Sequence, residues 1–218
     1  FIFHKLIFCH KFNLYFCKVI LFKKMFTGII ETTGIVKSIK ENKKNLDIIV
    51  SSSLSSELNV DESLSHNGVC LTITNCNNKS HSVTVVNESL DKSNFSKINI
   101  GSIINLERSM KIGGRIDGHL VQGHVDDTAK CIEIIDQGNS WSYVFEYSNR
   151  FSNYIIEKGS ICINGVSLTC FDVKSNIFSV AIIPHTYNKT NFKFLNMGDI
   201  VNLEFDMVGK YINKIAKL

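Results

Sequence analysis

Short runs rich in Ile, Val and Thr, broken by Asn, Gly or Ser, recur along most of the chain. They are GIVKSIK, LDIIVSS, VCLTITN, SVTVVN and SIINLE in one half, then AKCIEII, WSYVFEY, ICINGVSLTCFDV, IFSVAII and DIVNLEF in the other. Residues of this type at this length predict β-strands, and about six of them at such spacing predict a small closed barrel or sandwich. Alternation puts Val69, Leu71 and Ile73 on one face of VCLTI, and Cys70 and Thr72 on the other. The later run repeats this, with Val166, Leu168 and Cys170 on one face and Ser167 and Thr169 on the other. One face is apolar core, while the other offers a thiol or hydroxyl followed by a hydroxyl, which suits contact with a polar small molecule. The period changes only near the C-terminus, where Val208, Tyr211, Ile212, Ile215 and Ala216 recur at helical spacing between lysines. That segment predicts an amphipathic helix, serving either as a cap or as a contact between copies.

The two halves repeat one another. At a spacing of 97 residues NGVCLT (67–72) falls on NGVSLT (164–169), NESLDKSNF (87–95) on PHTYNKTNF (184–192), and NIGSIINLE (99–107) on NMGDIVNLE (196–204). Nearer the start of each copy the spacing is 95, which sets TGIIETTG (27–34) over QGHVDDTA (122–129). Matching blocks in one order mean duplication. Each copy is long enough for a small domain of its own, with the linker near GGRIDGH (113–119). The expected organisation is a leader at 1–24, an N-terminal barrel at 25–119, a C-terminal barrel at 120–205 and a terminal helix at 206–218. A polar strand face kept in both copies shifts the reading from ordinary solvent exposure towards a shared ligand, with two related half-sites for two related ligands.

Composition narrows this further. Hydrophobic residues at 44% and charged residues at 20% are ordinary for a globular protein. The net charge of +4 comes from a leader with five lysines and no acid; residues 25–218 carry 19 basic and 20 acidic side chains and so no electrostatic footprint for nucleic acid. The leader is rich in Phe but interrupted by Lys, His or Asn, so it lacks the run of about 20 apolar residues that a membrane span needs. Met25 opens a segment of different character and reads as the start of the functional protein. Seven cysteines with no C-x-x-C pair fit a reduced, cytoplasmic chain.

Chemistry is expected where the copies differ. His124 stands against Ile29, Cys70 against Ser167, Lys158 against Asp61 and Glu88 against His185. His124 suits a general base near neutral pH, and Cys70 a nucleophile or weak acid. A structural, hydrogen-bonded role for His124 is the plainer alternative. A metal site from His66, His119 and His124 lacks helical i, i+4 spacing and an accompanying carboxylate or thiol pair, so none is expected. The glycines of KIGGRIDG match no nucleotide-binding fingerprint.

Taken together, MFTGII, the HNGVCLT and NGVSLT pair, GGRIDGHLVQGHVD and IPHT closely resemble the riboflavin synthases of the duplicated, all-β type. The resemblance runs in order from Met25 to the C-terminus. It implies two tandem six-stranded Greek-key barrels with a C-terminal helix that gathers a homotrimer. It also implies a transferase that converts two molecules of 6,7-dimethyl-8-ribityllumazine into riboflavin and 5-amino-6-ribitylamino-2,4-pyrimidinedione, without a cofactor, with lumazine synthase as the partner enzyme. The implied substrate contacts in the first copy are Gly28, Ile29 and Ile30; Cys70, Leu71 and Thr72; and Thr84, Val85, Val86, Asn87, Glu88 and Ser89. In the second copy they are Gly123, His124 and Val125; Lys158; Ser167, Leu168 and Thr169; and Ala181, Ile182, Ile183, Pro184, His185 and Thr186. Several of these contacts would be made by backbone. Proton transfer is expected from His124 acting with Ser167 and Thr169, with Cys70 assisting in the neighbouring pocket. Asn164 stands where some members of that family have Asp. The alternative is a protein of the same fold that holds lumazine or flavin without catalysis.

Overall fold

The computed structural model describes residues 25–216, so the expectations for the leader lie outside the described residues. The first copy forms β1 (Thr32–Asn42), β2 (Asn45–Ser51), β3 (Ser63–His66), β4 (Val69–Cys76), β5 (Ser80–Val85) and β6 (Ile103–Arg108). The second forms β7 (Asp127–Asp136), β8 (Trp141–Tyr147), β9 (Ser160–Ile163), β10 (Val166–Phe171), β11 (Ile177–Ile182) and β12 (Ile200–Phe205). Helices α1 (Asn87–Lys92) and α2 (Pro184–Lys189) occupy equivalent places, and α3 (Met207–Ile215) comes after the second copy. Each set of six strands closes into an antiparallel barrel, in the orders β1-β2-β5-β4-β3-β6 and β7-β8-β11-β10-β9-β12. In both, the second strand lies beside the fifth rather than the third, which is the Greek-key crossing that the family resemblance implies.

One strand boundary differs from the sequence reading. ICINGVSLTCFDV, taken as a single run, is two strands, β9 and β10, turned back by Asn164-Gly165. Asn164 and Gly165 have φ of 46° and 82°, and Asn67 and Gly68 in the first copy 47° and 79°. Two successive positive-φ residues make the tight hairpin turn for which Asn-Gly is suited. The same turn creates β3, which lies outside the runs picked out in the first copy.

Each barrel buries its own apolar face. Val69, Leu71 and Ile73 enter the first core with Ile48, Leu64 and Val83, and Val166 and Cys170 enter the second with Phe145, Phe178 and Val180. The alternation predicted for β4 and β10 is what packs.

Between the barrels the chain crosses over. Phe26 pairs with Val121 in an antiparallel bridge, with N···O distances of 2.7 and 3.0 Å in the two directions. The arm carrying Gly28 reaches the second barrel, where Ser167 N donates to Gly28 O at 2.8 Å, and the arm carrying Gly123 reaches the first, where Cys70 N donates to Gly123 O at 2.8 Å. Both glycines have φ of 77°, and a Cβ on either would stand 2.6 Å from the Cβ of the residue it faces. Only glycine permits so close an approach in that conformation. Six asparagines fill the same interface. Asn105 Nδ2 donates to Asn164 O and Asn202 Nδ2 to Asn67 O, each at 2.8 Å, while Asn191 N donates to Asn105 Oδ1 at 2.7 Å and Asn94 N to Asn202 Oδ1 at 2.6 Å. Asn164, where Asp was the family alternative, thus sits in a buried amide network that its counterpart Asn67 shares.

Candidate functional site

The seam between the fourth and fifth strands is open in both barrels. Strands β4 and β5 pair at Ile73↔Val83, Asn75↔Ser82 and Cys76↔His81, and the equivalent β10 and β11 at Cys170↔Val180 and Phe171↔Ser179. Among the described residues neither ladder continues past Ile73 or Cys170. Cys70–Thr72 and Thr84–Val86 therefore form two lips in the first barrel, and Ser167–Thr169 and Ala181–Ile183 form them in the second. Backbone donors and acceptors along such lips are available to a planar heterocycle in the way that they are to a strand.

In the first barrel the start of β4, α1 and the crossing arm line a cavity of about 460 Å³, at Val69, Cys70, Glu88, Ser89, Lys92, Ser93, Gly123, His124, Val125 and Asp126, which meets the first lip at Cys70. That is within the range of small-molecule sites. Glu88 is exposed at its mouth and paired with Lys92 at 3.2 Å. Thr84 Oγ1 donates to Asp47 Oδ1 at 2.6 Å, which ties that lip to β2. Val86 and Asn87 are exposed, Asn87 N being held by Asn45 Oδ1 at 3.1 Å.

The second barrel presents the matching surface. Thr169, Ala181, Ile183, Pro184 and His185 are exposed and Thr186 is half-buried. Lys158, at φ 61° like its counterpart Asp61 at 71°, places its ammonium 5.5 Å from the Phe171 ring. Ile29 is exposed and Ile30 packs against the second core, both on the arm that brings Gly28 to Ser167. Leu71, Val85, Ile182 and Leu168 turn their side chains to the cores, so they face a ligand with backbone alone.

Two groupings differ from expectation. His124 does not join Ser167 and Thr169 within a chain, because its arm lies on the first barrel beside Cys70. Gly28, Ile29 and Ile30 likewise belong to the second barrel's face and not to the first. The cause is the exchange of arms, which a linear repeat does not reveal. The three histidines weighed as a metal set stand in three places: His66 in the first core, His119 on Ser167 and His124 at the cavity.

His119 is a site residue that sequence reasoning missed. Its Nδ1 lies 2.7 Å from Ser167 Oγ, and its backbone N donates to Thr27 O at 3.1 Å. Burial lowers its pKa from the ordinary histidine value, against the nearby Asp206 carboxylate. A neutral imidazole at this distance can accept the hydroxyl proton and make Ser167 a better hydrogen-bonding and proton-relaying group. Its signal was the first His of GHLVQGH. Glu107 and Glu204 were missed as well, although the repeated NLE announced them. Glu107 Oε1 accepts from Thr27 N at 2.7 Å and Oε2 from Gly28 N at 3.0 Å. Glu204 accepts from Gln122, Gly123 and His124 N at 2.6, 2.9 and 2.9 Å.

Comparison with known proteins agrees with the duplicated barrel fold. The lumazine binding domain family matches residues 27–109 and again 122–206. A riboflavin synthase of Actinobacillus pleuropneumoniae is 40% identical over 191 residues, covering 87% of this chain and 89% of the relative. One from Schizosaccharomyces pombe is 34% identical over 196 residues, covering 88% and 94%. Among solved structures, LumP complexed with riboflavin superposes with a TM-score of 0.77 at 20% identity, over 83% of this chain and 98% of that one. LumP complexed with 6,7-dimethyl-8-(1'-D-ribityl) lumazine gives 0.75 at 19%, with the same coverage.

Proposed function

We infer that this chain, which belongs to the riboflavin synthase family, carries out that family's reaction. Two molecules of 6,7-dimethyl-8-ribityllumazine are dismutated to riboflavin and 5-amino-6-ribitylamino-2,4-pyrimidinedione by transfer of a four-carbon unit. The observation that carries it is the pair of open seams, one per barrel, with equivalent lips. Two identical substrates call for two similar seats, and the differing residues at them, Cys70 with His124 against Ser167 with His119, suit substrates with different fates.

The reaction begins with loss of a proton from the methyl at position seven of one lumazine, whose ring delocalises the resulting anion. His124 is the base of choice, being exposed at the cavity mouth. Ser167 and Thr169 polarise the substrate held in the second barrel, and Cys70 contacts the lumazine in the first. Since His124 and Thr169 stand on different barrels, they meet when the first barrel of one copy faces the second barrel of another. A homotrimer gathered by α3 provides this arrangement, and Val208, Tyr211, Ile212 and Ile215 of that helix are more than half exposed. Holding two lumazines face to face supplies much of the rate through proximity. The substrate serves as its own electron sink, and lumazine synthase supplies it, in the cytoplasm.

Purified protein incubated with the lumazine alone should develop riboflavin fluorescence. Tight binding without product would replace this reading with that of a non-catalytic lumazine or flavin binder. Removing residues 208–218 should convert a trimer to monomer by mass in solution, and an unaltered trimer would reject the role given to α3.

A further inference from the structure

We propose that Glu204 and Glu107 are positioning residues, each a buried carboxylate that clamps the backbone of a crossing arm and so builds the ligand seat of the opposite barrel. Glu204 belongs to β12 of the second barrel, yet the arm that it grips carries Gly123 and His124 onto the first. Glu107 belongs to β6 of the first barrel, and its arm sets Gly28 against Ser167 of the second. The proposal rests on the reading that the two seats hold lumazine.

Three observations carry it. Each carboxylate accepts three donors from its arm. For Glu204 they are the amides of Gln122, Gly123 and His124; for Glu107, the amides of Thr27 and Gly28 and the hydroxyl of Thr27 at 2.8 Å. Both glutamates are buried, at 3 and 4% exposure, so solvent does not compete for those donors. Each arm then reaches its destination by a single backbone bond of 2.8 Å, Cys70 N to Gly123 O or Ser167 N to Gly28 O, at a glycine that tolerates no side chain. A shift of the arm therefore moves His124 relative to Cys70 in one seat and Ile29 relative to Ser167 in the other.

Only the ionised carboxyl can accept from every donor, since a protonated one turns an O–H towards an N–H. Burial pushes both groups up to about 7, against the downward pull of the amides they accept from. The titratable groups facing Glu107 are Glu31 and Cys162; those facing Glu204 are Lys210, Asp126 and Cys162. Each clamp is accordingly complete above neutral pH and loosens as pH falls through about 7.

The test compares Glu204→Gln with Glu107→Gln in the full-length protein, by turnover, by lumazine binding and by amide resonances. Glu204→Gln should lower kcat roughly 10- to 100-fold, since displacement of a catalytic group by about 1 Å has that effect. It should shift the Gln122, Gly123 and His124 amides and leave those of Thr27 and Gly28 in place. Glu107→Gln should do the reverse to the amides and act mainly on KM. In the wild type the three amides should follow one ionisation with a midpoint near pH 7, and this should vanish in Glu204→Gln. Amides unmoved by either substitution, or both arms disturbed alike by either one, would overturn the proposal. If Glu204→Gln does not fold, Glu204→Asp keeps the charge on a shorter stem and should show the same arm-specific shifts. A wild type that binds lumazine without turnover would sink the catalytic reading alone, and the amide measurements would then decide the clamp.

Discussion

Where β3 faces β6, the first barrel buries His66; the second barrel has Ile163 at that place, between β9 and β12. His81 on β5 corresponds to Phe178 on β11, each paired with β2 or its counterpart β8. His66 Nδ1 lies 3.0 Å from Leu64 O, which can only accept, so the proton is on Nδ1 and Nε2 is the acceptor. His81 Nε2 then donates to it at 2.9 Å, leaving His81 Nδ1 to accept from Ser55 Oγ at 3.1 Å. The second barrel has rings instead: Phe178 lies 5.7 Å from Phe145 and 5.6 Å from Tyr147. One topology is thus filled in two ways, by a directional polar chain in one copy and by packed aromatics in the other. Closure of the barrel constrains the volume of its core and leaves open whether that core is polar, provided every buried donor is met.

Transplanting the polar solution without its partners should break the comparison most severely. Phe178→His removes ring contacts and buries a donor among apolar neighbours, which costs about 3–5 kcal/mol. Urea denaturation followed by the fluorescence of Trp141, the single tryptophan of the chain, should show the second barrel losing most of its stability. A cost below about 1 kcal/mol would mean that the aromatic core is not what holds this barrel. The converse change sharpens the point: His66→Ile strands the His81 donor, at about 1–3 kcal/mol, and adding His81→Phe should recover most of that loss.

Acid should separate the barrels next. Burial lowers His66 from 6.5 to about 3, with the neighbouring His81 adding to the effect, and burial lowers His81 to about 4. Both folded values lie below the unfolded one, so the unfolded chain binds more protons. The stabilisation is whole above pH 6.5, declines progressively as pH falls below it, and is fully lost once pH has passed about 4 for His81 and about 3 for His66. Each proton taken up on unfolding contributes about 1.4 kcal/mol per pH unit. Hydrogen exchange at pH 5 against pH 7.5 should show β3, β5 and β6 losing protection while β9, β11 and β12 keep theirs. Equal losses in both barrels would refute the assignment, and the His66→Ile, His81→Phe pair should abolish the difference.

The glycine seats test the comparison from the other side, because there the barrels are alike. Gly28→Ala and Gly123→Ala each force a Cβ into a site 2.6 Å from a neighbour's at φ 77°. Strain of this kind costs about 1–3 kcal/mol. Because the arms cross, Gly123→Ala should weaken lumazine binding at the first barrel and Gly28→Ala at the second, by titration of each variant with the ligand. Loss in each glycine's own copy instead would contradict the exchange.

Much of this architecture is legible in the sequence. Strand alternation in VCLTI and VSLTC places the cores correctly, because period-two patterning is local. The duplication announces two barrels. The Asn-Gly turns are legible too, but inside ICINGVSLTCFDV the apolar run on either side masks the one that divides it. The crossing of Gly28 and Gly123 is hidden, since it depends on how two domains pack and leaves no periodicity in either. Glu107 and Glu204 stand in plain view in the repeated NLE, yet their donors lie about 80 residues away in the chain. His66 and His81 can be counted, but their pairing needs β3, and β3 needs the masked turn.

The smallest expected difference concerns the helices beside the seams. In the second barrel Trp141 and Tyr187 stack with ring centroids 3.7 Å apart and planes within 10°. The corresponding residues of the first, Leu46 and Leu90, pack as simple aliphatics against its core. Tyr187→Leu therefore rewrites the second barrel in the manner of the first, at about 0.5–1.5 kcal/mol for the lost stack. Tyr187 sits on α2 immediately after His185 and Thr186, so loosening it should carry over to the second seat. Lumazine affinity there should fall by up to about tenfold, the equivalent of 1.4 kcal/mol, while the first seat is unchanged. Trp141 emission should shift to the red as its ring loses its cover. An unaltered emission spectrum with unaltered affinity would show that the stack merely fills space, and that α2 is held in place by its Pro184 start and its Thr190 cap, whose hydroxyl donates to Thr186 O at 2.8 Å.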